Sequence, residues 1–381
     1  MKIPIYDIRV NTGTKIYKWD YAKKVTINKS WDTFTDTAII ELPSNISTKD
    51  RKKIYDEIKE GQQVTIKLGY YPYLKTRFEG YVIRVEPKST LKIYCEDLGY
   101  LLKRRSIKNF STIIDPKKPN DTASNVSLNE LITSIISNAE LNDEITFETG
   151  DAPNVGTWLI EGASVMQAIH QLKSKYGIYT WFKDGVLKVG LPYTPGLDGK
   201  RIDGDTDIPR HRFQFNWNII NHGDLKWQRD FELDVISHAQ ATNSEGKTLH
   251  AYAYYDERKP GEIIIQSEKP YGYVNDFKLS GRNNYTQAQI NQWAIDRLPN
   301  LYYTGFRGSF STFGEPAVEH GDIAVLIDKK IPDRNGAYLI KSVEITSGVD
   351  GYRQKISLDR VITAVNNKEY DSTIRDFTTN G

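Results

Sequence analysis

A pattern near the start of the chain returns near its end. Glu60-Gly61-Gln62-Gln63-Val64-Thr65-Ile66-Lys67 is followed by Gly80-Tyr81-Val82-Ile83-Arg84-Val85-Glu86 and then by Leu91-Lys92-Ile93-Tyr94-Cys95-Glu96-Asp97. Late in the chain, Glu319-His320-Gly321-Asp322-Ile323-Ala324-Val325-Leu326 leads to Gly336-Ala337-Tyr338-Leu339-Ile340-Lys341-Ser342-Val343-Glu344, and Gln354-Lys355-Ile356-Ser357-Leu358-Asp359 closes the second copy. Each passage reads as a glycine turn, a strand, a second glycine turn, a strand, a loop and a strand, with apolar side chains at period two. A chain that carries one small β-module twice can present two similar surfaces, which suits a protein that builds rings. Generic meander grammar is the competing source of such a match.

A length of 381 residues exceeds a single core and predicts several domains. With 51 basic and 49 acidic residues, the charge balance excludes the basic signature of a protein built to grip nucleic acid. An aromatic content of 12%, led by 24 Tyr and 7 Trp, suits both sheets and subunit contacts. The single Cys95 lies on an alternating strand, where a buried inert thiol is expected, and no disulfide framework can form within the chain. The N-terminus lacks the apolar core of a signal peptide, and no run is long enough to span a bilayer. The chain is therefore expected to be soluble when made.

The first hundred residues read as all-β with one helix. Asn11-Thr12-Gly13 is a hairpin turn, Ser47-Thr48-Lys49-Asp50 a helix start with Ile54 and Ile58 on its apolar face, and Gly61 its stop. Lys103-Arg104-Arg105 and Asp115 to Asp121 read as an exposed connector. An α/β unit follows. Ser127-Leu128-Asn129-Glu130 is a capping box, with Leu128, Leu131, Ile132, Ile135 and Ile136 along one face. Ser164 opens a second helix through Tyr176 to a stop at Gly177, and Asp184-Gly185 joins two strands in a hairpin. Residues 191–212 read as another connector. Strands resume at Phe213–Trp217, Leu225–Trp227 and Phe231–Val235, and a helix capped by Thr286 is expected to stop at Pro299.

The fold class expected is mainly β with α+β: two similar small β-barrels, an α/β insert and a further small insertion in the second barrel. The expected boundaries are 1–110 for the first barrel and 111–200 for the α/β satellite. The second barrel takes 201–245 and 305–365, the insertion 246–304 and a polar tail 366–381.

Little in the sequence supports catalysis. No two of His170, His211, His222, His238, His250 and His320 stand at a helical metal-binding spacing. Asp203-Gly204-Asp205-Thr206-Asp207 lacks the glycine and distal glutamate of a calcium loop and reads as an acidic turn. Gly308-Ser309-Phe310-Ser311 lies between strands and is no nucleophile elbow, and neither a P-loop nor a dinucleotide fingerprint is present. The expected sets of catalytic, cofactor-binding and metal residues are therefore empty.

The first meander, from Gly61-Gln62-Gln63-Val64 through Phe78-Glu79-Gly80-Tyr81-Val82-Ile83 to Ile93-Tyr94-Cys95-Glu96-Asp97, resembles the first barrel of the phage tail and baseplate hub proteins often called late control protein D-like. The late segment resembles the closing barrel of that family: a helix from Thr286 to Leu298, then Gly321-Asp322-Ile323-Ala324-Val325, then Gly336 through Val343. The order of barrel, α/β insert and interrupted barrel covers nearly the whole chain and rests on spacing rather than on signature residues.

The resemblance implies a structural, non-enzymatic protein: a homotrimer whose two barrels per subunit give a ring with pseudo-sixfold symmetry. Such a ring joins a hexameric tail tube to a trimeric spike or tail tip. The implied partners are the tube protein and the spike or tip protein, with tape-measure and baseplate wedge proteins as further ones and DNA only in transit. The implied location is the virion tail, assembled in the bacterial host cytoplasm. No fused spike, lysozyme or peptidase segment is expected. A tail-tip protein of a non-contractile phage shares the architecture, and a glycan-binding or glycan-cleaving tail component using exposed Tyr and Trp is the alternative from another class.

Overall fold

The computed structural model describes residues 3–43, 54–108, 110–111, 126–150, 158–160, 162–176, 178–190, 208–229, 235–243, 245–256, 262–278, 285–301 and 303–363. The expected helix start at 47–50, the connector residues 115–121, the Gly177 stop, residues 191–207 with their acidic turn, Phe231–Asp234 and the tail 366–381 lie outside them.

The first part of the chain supplies β1 (Pro4–Asn11), β2 (Ile16–Trp19), β3 (Lys24–Ser30), β4 (Thr37–Pro43), α1 (Ile54–Glu57), β5 (Gln63–Tyr70), β6 (Tyr73–Pro87), β7 (Thr90–Glu96) and α2 (Gly99–Arg104). The middle supplies β8 (Phe110–Ser111), α3 (Leu128–Asn138), β9 (Thr146–Thr149), β10 (Leu159–Ile160), α4 (Val165–Tyr176), β11 (Tyr179–Lys183) and β12 (Val186–Gly190). Then come β13 (Arg210–Gln214), β14 (Ile219–Asn221), β15 (Lys226–Gln228), β16 (Val235–Thr242), β17 (Thr248–Tyr255), β18 (Ile263–Gln266), β19 (Tyr273–Lys278) and α5 (Gln287–Leu301). The chain closes with β20 (Gly305–Arg307), β21 (Ser309–Phe313), β22 (Ile323–Ile327), β23 (Gly336–Gly348) and β24 (Gly351–Thr363).

The chain is mainly β, as the alternation predicts, and a 13-stranded sheet holds both meanders, with a path from β14 through β24, β23, β3 and β7 to β2 and with β22 and β13 branching from β23. Among the described residues this path runs open, with no pairing that closes either copy on itself. One core cluster lies against this sheet, from Ile8 and Val10 to Ile356 and Leu358. A second gathers α3, α4, β12, β16, β17 and α5, so the α/β unit and the β16–β19 sheet share apolar packing. That four-stranded sheet begins at Val235.

Local chemistry explains the elements that were legible. The Ser127 hydroxyl accepts from the Glu130 N–H, and the Glu130 carboxylate accepts from the Ser127 N–H. Ser164 and Gln167 repeat that exchange at the start of α4. Asp184 at φ 52° and Gly185 at φ 78° form the tight turn between β11 and β12, which needs two left-handed residues. Other readings need correction. Lys103 and Arg104 end a helix instead of lying in a connector, although both still face solvent. β13 begins at Arg210, inside the segment read as a connector, because its parallel pairing with β22 supplies the backbone partners. Helix α5 runs past Pro299 to Leu301; a proline in the last turn shortens a helix without ending it on the spot.

The two meanders match at their glycine turns and at one bulge. Gly61 at φ 84° donates its N–H to the Val82 carbonyl, and Gly321 at φ 82° donates to the Ile340 carbonyl, both at 2.8 Å. The return bonds, Val82 N–H to Gln62 O and Ile340 N–H to Asp322 O, measure 2.8 and 2.9 Å. In the first copy Val82 faces Cys95 and Arg84 faces Tyr94; in the second Ile340 faces Leu358 and Ser342 faces Ser357. Ile83 and Lys341 are thus the extra residue of the same β-bulge. This register pairs Gly80 with Tyr338, correcting the sequence alignment that set Gly80 against Gly336. The two glycines do different work. A Cβ on Gly80 would lie 2.0 Å from the Glu96 carbonyl oxygen, whereas Gly336 makes room for the ring of Tyr338.

Candidate functional site

The copies meet edge to edge. Ser342–Gly348 of β23 pairs antiparallel with Lys24–Ser30 of β3, in the register Ser342 with Ser30 and Gly348 with Lys24. This seam is a strand-addition joint inside one chain: an outer edge of the second copy extends the sheet of the first.

Arg77 crosses the seam beside the strands. It is the bulge residue of β6 against β5, where Ile66 pairs with Phe78 and Lys67 with Thr76. A bulge re-aims the side chain that it inserts. The Arg77 side chain is 1% exposed and donates to the Val318 carbonyl at 2.8 Å, the Gln354 amide oxygen at 3.0 Å and the Tyr352 hydroxyl at 3.3 Å. Glu319 stands 3.7 Å from its Nε and pairs with Lys29 at 2.7 Å. A cation from one copy is therefore held by oxygens of the other. Sequence reasoning passed over Arg77, because a lone arginine before Phe78 carries no local sign of burial.

The α/β unit braces the same place. Trp31 meets Tyr179 edge-on at 5.4 Å and shares a small buried cluster with Trp181 and Leu339. Asp32 accepts from Lys173 at 2.9 Å and pairs with Lys341 at 3.0 Å; although burial opposes its ionisation, these ammoniums hold its carboxyl below the usual value. Asp322 lies 3.0 Å from His211 and 3.5 Å from Lys183; burial again opposes ionisation and these partners outweigh it.

A cleft of about 510 Å³ opens beside the seam, lined by Lys29, Asp36, Arg77, Asp97, Glu319 and His320 among others. Two buried carboxyls sit at its edge. Asp97 accepts the N–H of Asp36 at 2.9 Å and of Gly99 at 2.8 Å, yet burial lifts it to about 7. Burial and the neighbouring Asp97 charge raise Asp36 as well. His320 is held neutral: burial, with Lys29 and Lys183 nearby, lowers it to about 3. Asp36 and Asp97 are held by backbone donors beside the cleft, an arrangement suited to fixing a seam.

His170 is exposed on α4. His238 and His250 come together across β16 and β17, with ring nitrogens 3.1 Å apart and His238 stacked on Tyr252, a pairing that helical spacing could not reveal. Among the described residues no group of three or more His, Cys, Asp or Glu could hold a metal ion. Cys95 is buried, and burial pushes its thiol up, away from nucleophilic use. No described helix is long and apolar enough to cross a membrane.

No protein-family model matches the chain, and no curated protein matches it by sequence. Solved structures do. The prophage MuSo2 43 kDa tail protein from Shewanella oneidensis aligns over 93% of this chain and 98% of its own, at 16% identity and a TM-score of 0.56. The tail protein from Neisseria meningitidis MC58 aligns over 93% and 96%, at 14% identity and a TM-score of 0.54. A chain of the Francisella PdpA–VgrG complex aligns over 94% of this chain and 58% of its own, at 8% identity and a TM-score of 0.52. At these identities the likeness is one of fold, spans nearly all of the chain and agrees with the resemblance read from the sequence: this protein has the fold of phage tail proteins.

Proposed function

We propose that this chain is the structural hub of a phage tail or a related injection machine. Three copies form a ring whose six β-modules, β1–β7 and β13–β15 with β20–β24 from each chain, approximate sixfold symmetry. One face of the ring docks on the hexameric tail tube and the other on a trimeric spike or tip. Tape-measure and baseplate wedge proteins are its further partners, and DNA passes through its lumen. The work is geometric and not enzymatic.

The observation that carries this reading is the duplicated meander with its shared bulge, already joined edge to edge at β3 and β23. A chain that repeats one module and links the copies by strand pairing has a means of continuing that pairing into another chain. The formal charge of +2 suits a conduit that must not retain DNA. Light scattering on the purified protein tests the reading: the expected mass is that of three chains, reached alone or on adding tube or spike protein. A monomer under all of these conditions refutes it.

A further inference from the structure

The internal joint pairs β23 of the second copy with β3 of the first, and among the described residues the corresponding edges, β6 in the first copy and β14–β15 in the second, have no such partner. In the first copy the equivalent of β23 is β6: the shared bulge sets Arg84, Val85 and Glu86 against Ser342, Val343 and Glu344. On the side of β6 where β23 takes up β3, the described residues show no strand beside Arg84–Pro87. In the second copy the equivalent of β3 is the broken strand β14–β15. Asn221 faces Ser311 of β21 and Lys226 faces Arg307 of β20, as Lys24 faces Glu41 and Asn28 faces Thr37 of β4, with one extra residue between Asn221 and Lys226. β14 and β15 pair only with β21 and β20 among the described residues, so their far edge is open too.

Resting on the ring reading above, we infer that the Arg84–Glu86 edge of β6 pairs antiparallel with the Lys226–Gln228 edge of β15 in a second copy of this chain. The register follows from the internal joint, in which Ser342, Val343 and Glu344 face Ser30, Lys29 and Asn28. Arg84 then faces Gln228, Val85 faces Trp227 and Glu86 faces Lys226. The side chains suit those positions. Val85 and Trp227 are both half-buried hydrophobics packed against the main core, and the pairing covers what remains of each. Glu86 meets an opposite charge in Lys226, and the Lys88 side chain, 72% exposed, is carried toward Asp224. Free strand edges are commonly guarded by charge and proline, and Pro87 stands where the internal joint has Ile345. With no N–H at Pro87 the ladder ends after Glu86, so the joint between chains is shorter than the one within a chain. The contact is head to tail, each chain offering β6 to one neighbour and β15 to the other, so three copies can close with every β6 and β15 edge paired.

The test is the double variant Glu86→Cys with Lys226→Cys, oxidised at neutral pH and read on a denaturing, non-reducing gel beside light scattering of the wild type. Cys95 is buried and leaves the new thiols as the reactive pair. The expected product is a closed covalent trimer. The two single variants mixed should stop at dimers, and the displaced pair Glu86→Cys with Asn221→Cys should give neither. A trimeric mass with no cross-link overturns this joint and leaves the ring reading standing. A protein that is monomeric and uncross-linked at every concentration, alone and with tube or spike protein added, overturns both, and ladders running past three chains overturn the closure. A charge exchange provides a second readout. Glu86→Lys or Lys226→Glu alone should weaken the trimer about fivefold per joint, and the two together should restore it. Equal weakening in the pair and in the singles counts against the register.

Discussion

Replacing Arg77 by Met tests whether the two modules are held together by the cation that crosses between them. The substitution keeps an unbranched chain of similar reach in a site that is 1% exposed, so volume changes little and the loss is one of hydrogen bonds and charge. Two short bonds disappear, to the Val318 carbonyl at 2.8 Å and to the Gln354 amide oxygen at 3.0 Å, and a weaker one to Tyr352 at 3.3 Å. Bonds to charged groups contribute roughly 1.5–3 kcal/mol each, and breaking a buried pair costs about 3–5 kcal/mol. Two features limit the damage. Gln354 keeps the Val318 N–H at 3.2 Å, and Glu319 keeps Lys29 at 2.7 Å. The expected loss is therefore about 3 kcal/mol. Urea unfolding at fixed protein concentration should show it as a lower midpoint at unchanged slope. Lys75→Met, exposed on the same strand, should stay within about 0.5 kcal/mol of wild type. A loss below about 1 kcal/mol for Arg77→Met would show that the seam rests on strand pairing and apolar packing, with Arg77 incidental.

Gly80→Ala should cost at least about 2 kcal/mol in the same assay, because its Cβ would stand 2.0 Å from the backbone oxygen of Glu96 and only a shift of β7 relieves it; wild-type stability would show that β6 and β7 separate easily. Ser127→Ala should lose about 1 kcal/mol by opening the capping box of α3, and Ser127→Asp should recover most of that. His320 gives a pH dependence. Its folded value of about 3 lies below the ordinary 6.5, so as pH falls the unfolded chain takes the proton first. The stability that it confers is whole above pH 6.5 and is lost downward through that window by about 1.4 kcal/mol per pH unit. Burial raises Asp36 and Asp97, which act with the opposite sign: they favour the folded state as pH falls. The readout is therefore a difference, and the advantage of wild type over His320→Gln should shrink steadily between pH 6.5 and 4.5. A constant difference would mean that His320 takes up its proton without unfolding.

The features legible in the sequence were those that neighbouring residues decide. Ser127 with Glu130, Asp184 with Gly185 and the Gly61 and Gly321 turns each fix their own few residues through a cap or a left-handed φ, and each formed as read. The duplication was legible because strand alternation and turn glycines recur together. Its register was not, because the matching bulges at Ile83 and Lys341 appear only once β6 and β23 have partners. The seam was invisible for the same reason. Nothing near Val25 or Ile345 specifies that these strands adjoin, and β3 and β23 come from opposite ends of the chain. Arg77 shows the limit most clearly: its burial comes from Val318, Tyr352 and Gln354, all far away in sequence. The resemblance to tail hub proteins rested on element order, which is also what the solved tail proteins share with this chain at low identity.

In the ring proposed above, three chains imitate six through a repeated module. The most direct measurement is rotational symmetry in electron micrographs of the purified ring viewed along its axis. Threefold averages are expected whose six lobes are nearly alike, with lobes alternating between the copy that contains β6 and the copy that contains β23. Rings of any other order, or threefold particles in which the two copies do not form one circle of similar lobes, would contradict it.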